Sequence, residues 1–438
     1  MWPSDLRGPS HSRRGAARGR SAMTRCGRRS TICAGAKQSP ASAASPAPWI
    51  GSEWPCGGCW GVTGGRPPVR SRLRKRWPGC SRQPMANDLP GRVAIVGTGA
   101  LGSLVAARLA NAGVGVTLVG GAAQARAVGA GGLRFQQPWR RELVLRGLRA
   151  AAGWGELAED EVAAIELAVL VGRVHDTQAA VASLAAVLAP QVPLVVLQNG
   201  VGGAEIARAQ AGPRPLLAAV ATLAASQPRP GVVRCLSYRG GVGLAPVQAA
   251  EEAVARVARL FSSSGLPTQV YADYRAMVWS SLLLHMLGNA VPAIVNRPPA
   301  QVFRDLALCR LELAAFREAL AVMRALGIAP VGLPGYPVPA LAMAMARLPV
   351  PILHRLLPRL AGHWRAGRQV SLRGELERRR GPSEVEYLNG AVVRGGRELG
   401  VPVPANALIH RTLTAMMQGT IPRQAYAGNP HGLLAPLR

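Results

Sequence analysis

From Arg92 onward the chain alternates short apolar runs with amphipathic stretches. RVAIV (92–96) is five residues long and nearly all apolar, too short for a helix and suited to a strand buried on both faces. LVAARLANAG (104–113) has helical spacing and closes on glycine, and VGVTLVG (114–120) returns to strand character. ELAVLVG (166–172) and VPLVVLQNG (192–200) repeat the buried-strand pattern, with AAVASLAAVLA between them as a crossover helix. Strands joined through helices predict a parallel sheet with right-handed crossovers. RPGVVRCLSYRGGVGL (229–244) reads as antiparallel edge strands, EEAVARVARLFSSSG as a closing helix and PTQVYAD as a last strand. Beyond Asp273 only helical periodicities remain, at 274–290, 301–326 and 384–399. The segment 332–370 interrupts them with six prolines and the basic amphipathic ILHRLLPRLAGHWRAGR. Such a piece can lie on a membrane or pair with a partner, but polar residues on both sides and Pro358 favour an extended covering segment. The fold expected is α/β: an N-terminal doubly wound sheet over 85–272, an all-helical domain over 273–425 and a tail at 426–438.

Residues 1–84 show no such periodicity. They are rich in Arg, Ser, Gly, Pro and Trp and hold sixteen basic and two acidic residues, so +14 of the formal +30 charge falls there and +16 on the remaining 354 residues. This stretch reads as a disordered leader: either an organelle transit peptide or, the favoured reading given its Trp and Cys, an over-long reading frame whose start is Met85. The only lysines are Lys37 and Lys75, so the whole segment from Met85 is lysine-free. Arginine throughout, with no interleaved aromatics and no recognisable module, argues for compositional bias over a nucleic-acid surface.

Five of seven cysteines precede residue 85, leaving Cys235 and Cys309. That usage suits a reducing, cytoplasmic setting without disulfides. Cys56 and Cys59 have CxxC spacing but no second pair, so no metal site is expected. No run of eighteen uninterrupted apolar residues occurs. The most apolar region, Ala179 to Leu197, is broken by Ser183, Pro190, Gln191 and Pro193, and no membrane association is expected.

The chemistry begins at Gly97-Thr98-Gly99-Ala100-Leu101-Gly102, directly after a strand and opening a helix. In that setting the first glycine makes the turn, the second lets a pyrophosphate approach the backbone and the third permits close helix–strand packing. The second strand ends in Gly120-Gly121, which supplies neither an acid for a ribose hydroxyl nor an arginine for a 2′-phosphate. Arg126 lies a little further on, either as a 2′-phosphate partner or as an exposed helix arginine. Asn199 ends a buried strand in LQNG, where an amide can hold a substrate or a nicotinamide group or simply form an Asn-Gly turn. In VWSSLLLHMLGNA (278–290), Ser281, His285 and Asn289 recur at steps of four and share one face if the segment is helical. They are either polar groups tolerated on a packing helix or one wall of an active site.

GTGALG after a first strand, LQNG after a later one, the helix carrying Val278-Trp279 and SEVEYLNGAVVRGGRELGVPVPAN (383–406) together resemble the ketopantoate reductases, or 2-dehydropantoate 2-reductases, over roughly residues 91–415. The resemblance implies a Rossmann domain and a helical domain with the cleft between them. It also implies NADPH more than NADH, and reduction of 2-dehydropantoate to pantoate on the route to pantothenate. The family's proton-donating lysine falls on Ser281, and His285 stands where an asparagine is usual. As replacement acid His285 has a suitable ordinary pKa of about 6.5, the bland alternative being a satisfied helix histidine. Asn289 matches the second asparagine of that helix, Ser371 the substrate-binding serine, Glu384 the glutamate that contacts substrate hydroxyls, and Arg173 a lysine on the nicotinamide side. Ser281, His285 and Glu384 are thus the catalytic candidates, with Asn199, Asn289, Ser371 and Glu384 facing substrate. A 2-oxo acid is the expected partner and a homodimer an expected assembly. A member with altered substrate, or a nucleotide binder without turnover, remains the alternative because of Ser281.

Overall fold

The computed structural model of the chain describes residues 91–237, 239–364, 371–378 and 382–437; the leader, Met85 and the Cys56/Cys59 pair lie outside them. Among the described residues twelve strands occur in chain order: β1 Arg92–Val96, β2 Gly115–Val119, β3 Leu133–Gln136, β4 Leu143–Leu145, β5 Arg149–Ala151, β6 Leu167–Val171, β7 Leu194–Leu197, β8 Leu216–Ala221, β9 Ala224–Arg229, β10 Val232–Ser237, β11 Val242–Gln248 and β12 Thr268–Val270. Eight form one sheet in the order β12-β11-β8-β7-β6-β1-β2-β5. From β8 to β5 all pairs are parallel, with Ile95 of β1 opposite Leu118 of β2 and Val169 of β6. The chain runs outward from β1 through β2 on one side and through β6 on the other. The carboxyl ends of β1 and β6 therefore mark the switch point where ligands bind in such sheets.

Apolar side chains cover both faces of this sheet. Ile95, Leu104, Leu118, Phe135, Leu197, Leu244 and Phe261 pack on one side, and Ala94, Leu170, Val181, Leu184 and Val196 on the other. The region expected to hold antiparallel edge strands divides instead. β10 joins a separate four-stranded sheet, antiparallel to β9 and parallel to β3, whereas β11 is an interior strand antiparallel to β8, with β12 outside it. Val242 to Ala245 of β11 are buried, which an edge would not demand.

Arg214, just before β8, is 2% exposed, and its guanidinium donates to the carbonyls of Leu188 (2.9 Å), Ala189 (2.9 Å) and Val192 (2.7 Å). It closes the loop between the crossover helix Thr177–Ala185 and β7. Arg214→Met keeps much of the volume but strips three carbonyls of their donors. It should lower unfolding free energy by about 3 kcal/mol, seen as a lower urea midpoint with an unchanged slope.

From Tyr274 on, the described regular elements are helical apart from a bridge between Leu333 and Tyr336. Helix Tyr274–Met286 lies against β8 and β11, and Met277, Leu282 and Leu283 seed the apolar core of this half. The stretch Tyr274–Ile294 is long and apolar enough to cross a membrane, yet 89% of its most apolar window is buried within the fold.

The proline-rich segment is not extended over its described residues: it forms helices Val338–Arg347 and Val350–Trp364. The reason is positional. Pro339 and Pro351 fall in first turns, where a missing amide costs nothing. Only Pro358 removes an internal bond, and buried Leu353 and Leu357, four apart, hold that helix on Pro299–Arg304 and Leu306–Ala325. The tail also packs, through Leu433.

Candidate active site

The phosphate-facing end is built by glycine geometry. Gly97 sits at φ +118° with its N–H on the Val119 carbonyl at 2.9 Å; a Cβ there would come 1.8 Å from the Val171 carbonyl oxygen. A Cβ on Gly102 would lie 2.0 Å from the Gly97 oxygen, so that glycine sets helix Ala100–Asn111 tightly on the turn. Gly99 differs: nothing lies within 4 Å of its Cβ position, and the space stands open over the backbone. The first internal bond of the helix is Ser103 N–H to the Gly99 carbonyl at 2.9 Å, leaving the amides of Ala100, Leu101 and Gly102 ahead of the ladder. An open cradle in front of unspent amides at a helix N-terminus fits a dinucleotide pyrophosphate. Thr98 is fixed beneath it, its carbonyl accepting from Gln227 Nε2 (2.9 Å) and Ser103 Oγ (3.3 Å). Gln227, on β9, carries no motif signal in the sequence. Arg126 is exposed on helix Ala122–Gly131, beyond Gly120 and Gly121, both at positive φ.

At the next strand ends stand Arg173, after β6, and Asn199, after β7. Asn199 serves the fold in part, since its Oδ1 accepts the Ala221 N–H at 2.9 Å and ties β7 to β8. Ser281 Oγ lies 3.5 Å from the same oxygen, bringing the helix of Ser281 to the sheet's carboxyl edge. That helix is capped by Asp273, whose carboxylate accepts the Arg275 N–H at 2.7 Å. Ser281 is fully buried, and His285 Nδ1 lies 2.8 Å from its carbonyl oxygen and 3.3 Å from its Oγ.

Asn289 corrects the expectation of one helical face. The helix ends at Met286, Gly288 turns at φ +63° with its N–H on buried Glu312 at 2.9 Å, and Asn289 precedes the next short helix, Ala290–Ile294. Its side chain nevertheless returns to the site, donating from Nδ2 to the His285 carbonyl (3.0 Å) and to Ser371 Oγ (3.2 Å). Asn199, His285, Asn289, Ser371 and Glu384 line one cavity of about 20 Å³, closed further by Tyr387 and Leu388. That is room for about one water.

Behind the cavity lies Glu375, which sequence reasoning missed. It is buried one turn beyond Ser371 on helix Ser371–Arg378, and its Oε2 accepts Ser383 Oγ–H (2.8 Å) and Glu384 N–H (3.0 Å). Its Oε1 forms an ion pair with Arg173 Nη1 at 3.0 Å, though the angles do not make a hydrogen bond. Burial pushes the Glu384 carboxyl up to about 7, neighbouring Glu375 adds to the rise, and Arg173 opposes it. The spacing of Ser371 and Glu375, one helical turn, is the signal that would have found this acid.

The family model described as Ketopantoate reductase PanE/ApbA matches residues 93–248, and its C-terminal counterpart matches residues 273–417. The chain is 29% identical over 344 residues to a 2-dehydropantoate 2-reductase of Halobacterium salinarum, covering 75% of this chain and 98% of that one. A PanE/ApbA-family ketopantoate reductase from Ralstonia eutropha has a similar structure, with TM-score 0.62 and 28% identity over 75% of this chain and 99% of that one. So has a D-mandelate dehydrogenase solved with NADH and anilino(oxo)acetate, with TM-score 0.61 and 19% identity over the same shares.

Proposed function

The chain belongs to the ketopantoate reductase family, a family of oxidoreductases, and from that premise we propose that it reduces a 2-oxo acid with NADPH, 2-dehydropantoate being the substrate. The observation that carries the reading is the meeting of Asn199, His285, Asn289, Ser371 and Glu384 around one cavity beside the switch point of the sheet, with Ser281 behind them.

When bound, the dinucleotide supplies a hydride to the substrate carbonyl carbon. The chain does the rest. The amides of Ala100 to Gly102 hold the pyrophosphate, and the open space at Gly99 admits it. Arg173 keeps a positive charge on the nicotinamide side. Ser371 and Asn289, already hydrogen-bonded to each other, offer polar groups to the substrate carboxylate and hydroxyls, and Glu384 faces the same cavity. Arg126, the cation in the helix after β2, supports the preference for a 2′-phosphate.

The test is calorimetric titration of the purified protein with NADPH and NADH, followed by the loss of NADPH absorbance with 2-dehydropantoate. Tighter binding of NADPH and turnover of 2-dehydropantoate are expected; failure to bind either dinucleotide overturns the reading. Ser281 in the lysine position favours one second reading, a relative acting on a different 2-oxo acid. A panel of such acids, with 2-dehydropantoate the poorest, would establish it.

A further inference from the structure

We propose that Glu384, held by buried Glu375, is the group that protonates the substrate oxygen in this chain, in the part that a lysine at position 281 would play. The inference rests on the reductase reading above and concerns which atom supplies the proton.

Glu375 anchors the backbone from which Glu384 projects. Its Oε2 takes the Glu384 N–H and the Ser383 hydroxyl, so the turn from which Glu384 projects is anchored to a buried acid. Glu375 also acts on the Glu384 carboxyl as a neighbouring charge, and its Oε1 has an ion-pair partner in Arg173 but no hydrogen-bond donor. Two carboxylates sharing one guanidinium in a nearly closed space leave an uncompensated negative charge, which a retained proton relieves. The groups facing Glu384 are Glu375 from its helix, Arg173 and Asp176 from the turn after β6, His285 from helix Tyr274–Met286 and Tyr387 from its own turn. Burial above all, with Glu375 and Asp176 adding to it and Arg173 opposing, raises the Glu384 carboxyl to about 7, where a neutral acid is half populated at physiological pH.

The other candidates are less suited to the step. A serine hydroxyl is too poor an acid to act alone. His285 is turned towards its own helix, Nδ1 lying 2.8 Å from the Ser281 carbonyl and 3.3 Å from its Oγ. The step balances without further reagents. As hydride reaches the carbonyl carbon, the C=O π pair moves to oxygen, the Glu384 O–H bond breaks and its proton passes to that oxygen. The products are the 2-hydroxy acid, the oxidised dinucleotide and a Glu384 carboxylate that takes its next proton from water.

Infrared difference spectra of the full chain, recorded without ligand across neutral pH, give the direct test. A protonated-carboxyl C=O band should vanish as pH rises through about 7, be missing in Glu384→Gln and titrate about one unit lower in Glu375→Gln. In turnover, kcat of the unmodified protein should fall through the same range because the acid ionises. Glu384→Gln should lower kcat about 100-fold or more with dinucleotide affinity kept, and Glu375→Gln should move the falling limb to lower pH. A purely structural role for Glu375 would weaken binding or stability without moving that limb. Absence of the band overturns the proposal, as does a limb that survives in Glu384→Gln and disappears in His285→Gln. A normal band in a protein that binds dinucleotide but reduces no 2-oxo acid overturns the reductase reading instead, and the donor role with it.

Discussion

Gly99→Val should weaken dinucleotide binding about 100-fold or more, roughly 3 kcal/mol, while leaving the fold and its urea midpoint nearly unchanged. The contrast with its neighbours makes the prediction sharp. A Cβ at Gly97 or Gly102 would drive into backbone oxygen at 1.8 or 2.0 Å, so substitution there attacks the turn itself, and at Gly97 the φ of +118° adds strain. At Gly99 the added atom meets nothing within 4 Å, and φ of −72° suits any residue. The side chain would therefore occupy the space over the first helical amides without disturbing protein packing. Charge-assisted bonds from amides to phosphate are worth about 1.5–3 kcal/mol each, so blocking one or two accounts for the loss. Calorimetric titration beside circular dichroism decides the matter. Unchanged affinity in a folded variant would mean that the dinucleotide does not cross this loop.

The glycine loop was legible because its chemistry is local: strand, three glycines and helix follow one another within a few residues. The meeting of Ser281 with His285 was legible for the same reason, one helical turn separating them. What failed was what tertiary structure decides. Asn289 left the expected face because Gly288, at φ +63° and bonded to buried Glu312, ends the helix, and a four-residue step cannot reveal that break. The prolines of 332–364 looked like breakers because the first-turn positions of Pro339 and Pro351 could not be known before the helix starts were. Glu375 lies in SLRGELER, which reads as a solvated charged helix. Its polar partners are Arg173, some two hundred residues earlier, and Ser383 beyond it. An ion pair of that sequence separation leaves no pattern in the chain. Arg214 is hidden in the same way, its guanidinium being spent on three carbonyls of one loop.

Ser281→Lys should raise kcat about tenfold or more above neutral pH and much less below it. The site can take an ammonium in chemical terms, since the Asn199 Oδ1 that lies 3.5 Å from Ser281 Oγ is an acceptor at the carboxyl edge of β7. It takes one at a cost. Ser281 is fully buried, and the longer side chain must pass His285, so about 1–3 kcal/mol of stability should be lost. Burial also draws the lysine below its ordinary pKa of about 10.4, towards the range useful for catalysis. The pH dependence identifies the donor. With Glu384 as the acid, the unmodified protein loses its proton donor above about 7, whereas a lysine keeps its proton further into the alkaline range. The ratio of variant to unmodified kcat should therefore climb as pH rises. A flat ratio in a folded variant that still binds dinucleotide would show that position 281 does not reach the substrate oxygen. A ratio that climbs in Ser281→Lys and persists after Glu384→Gln is added would show a lysine acting in place of the carboxyl pair.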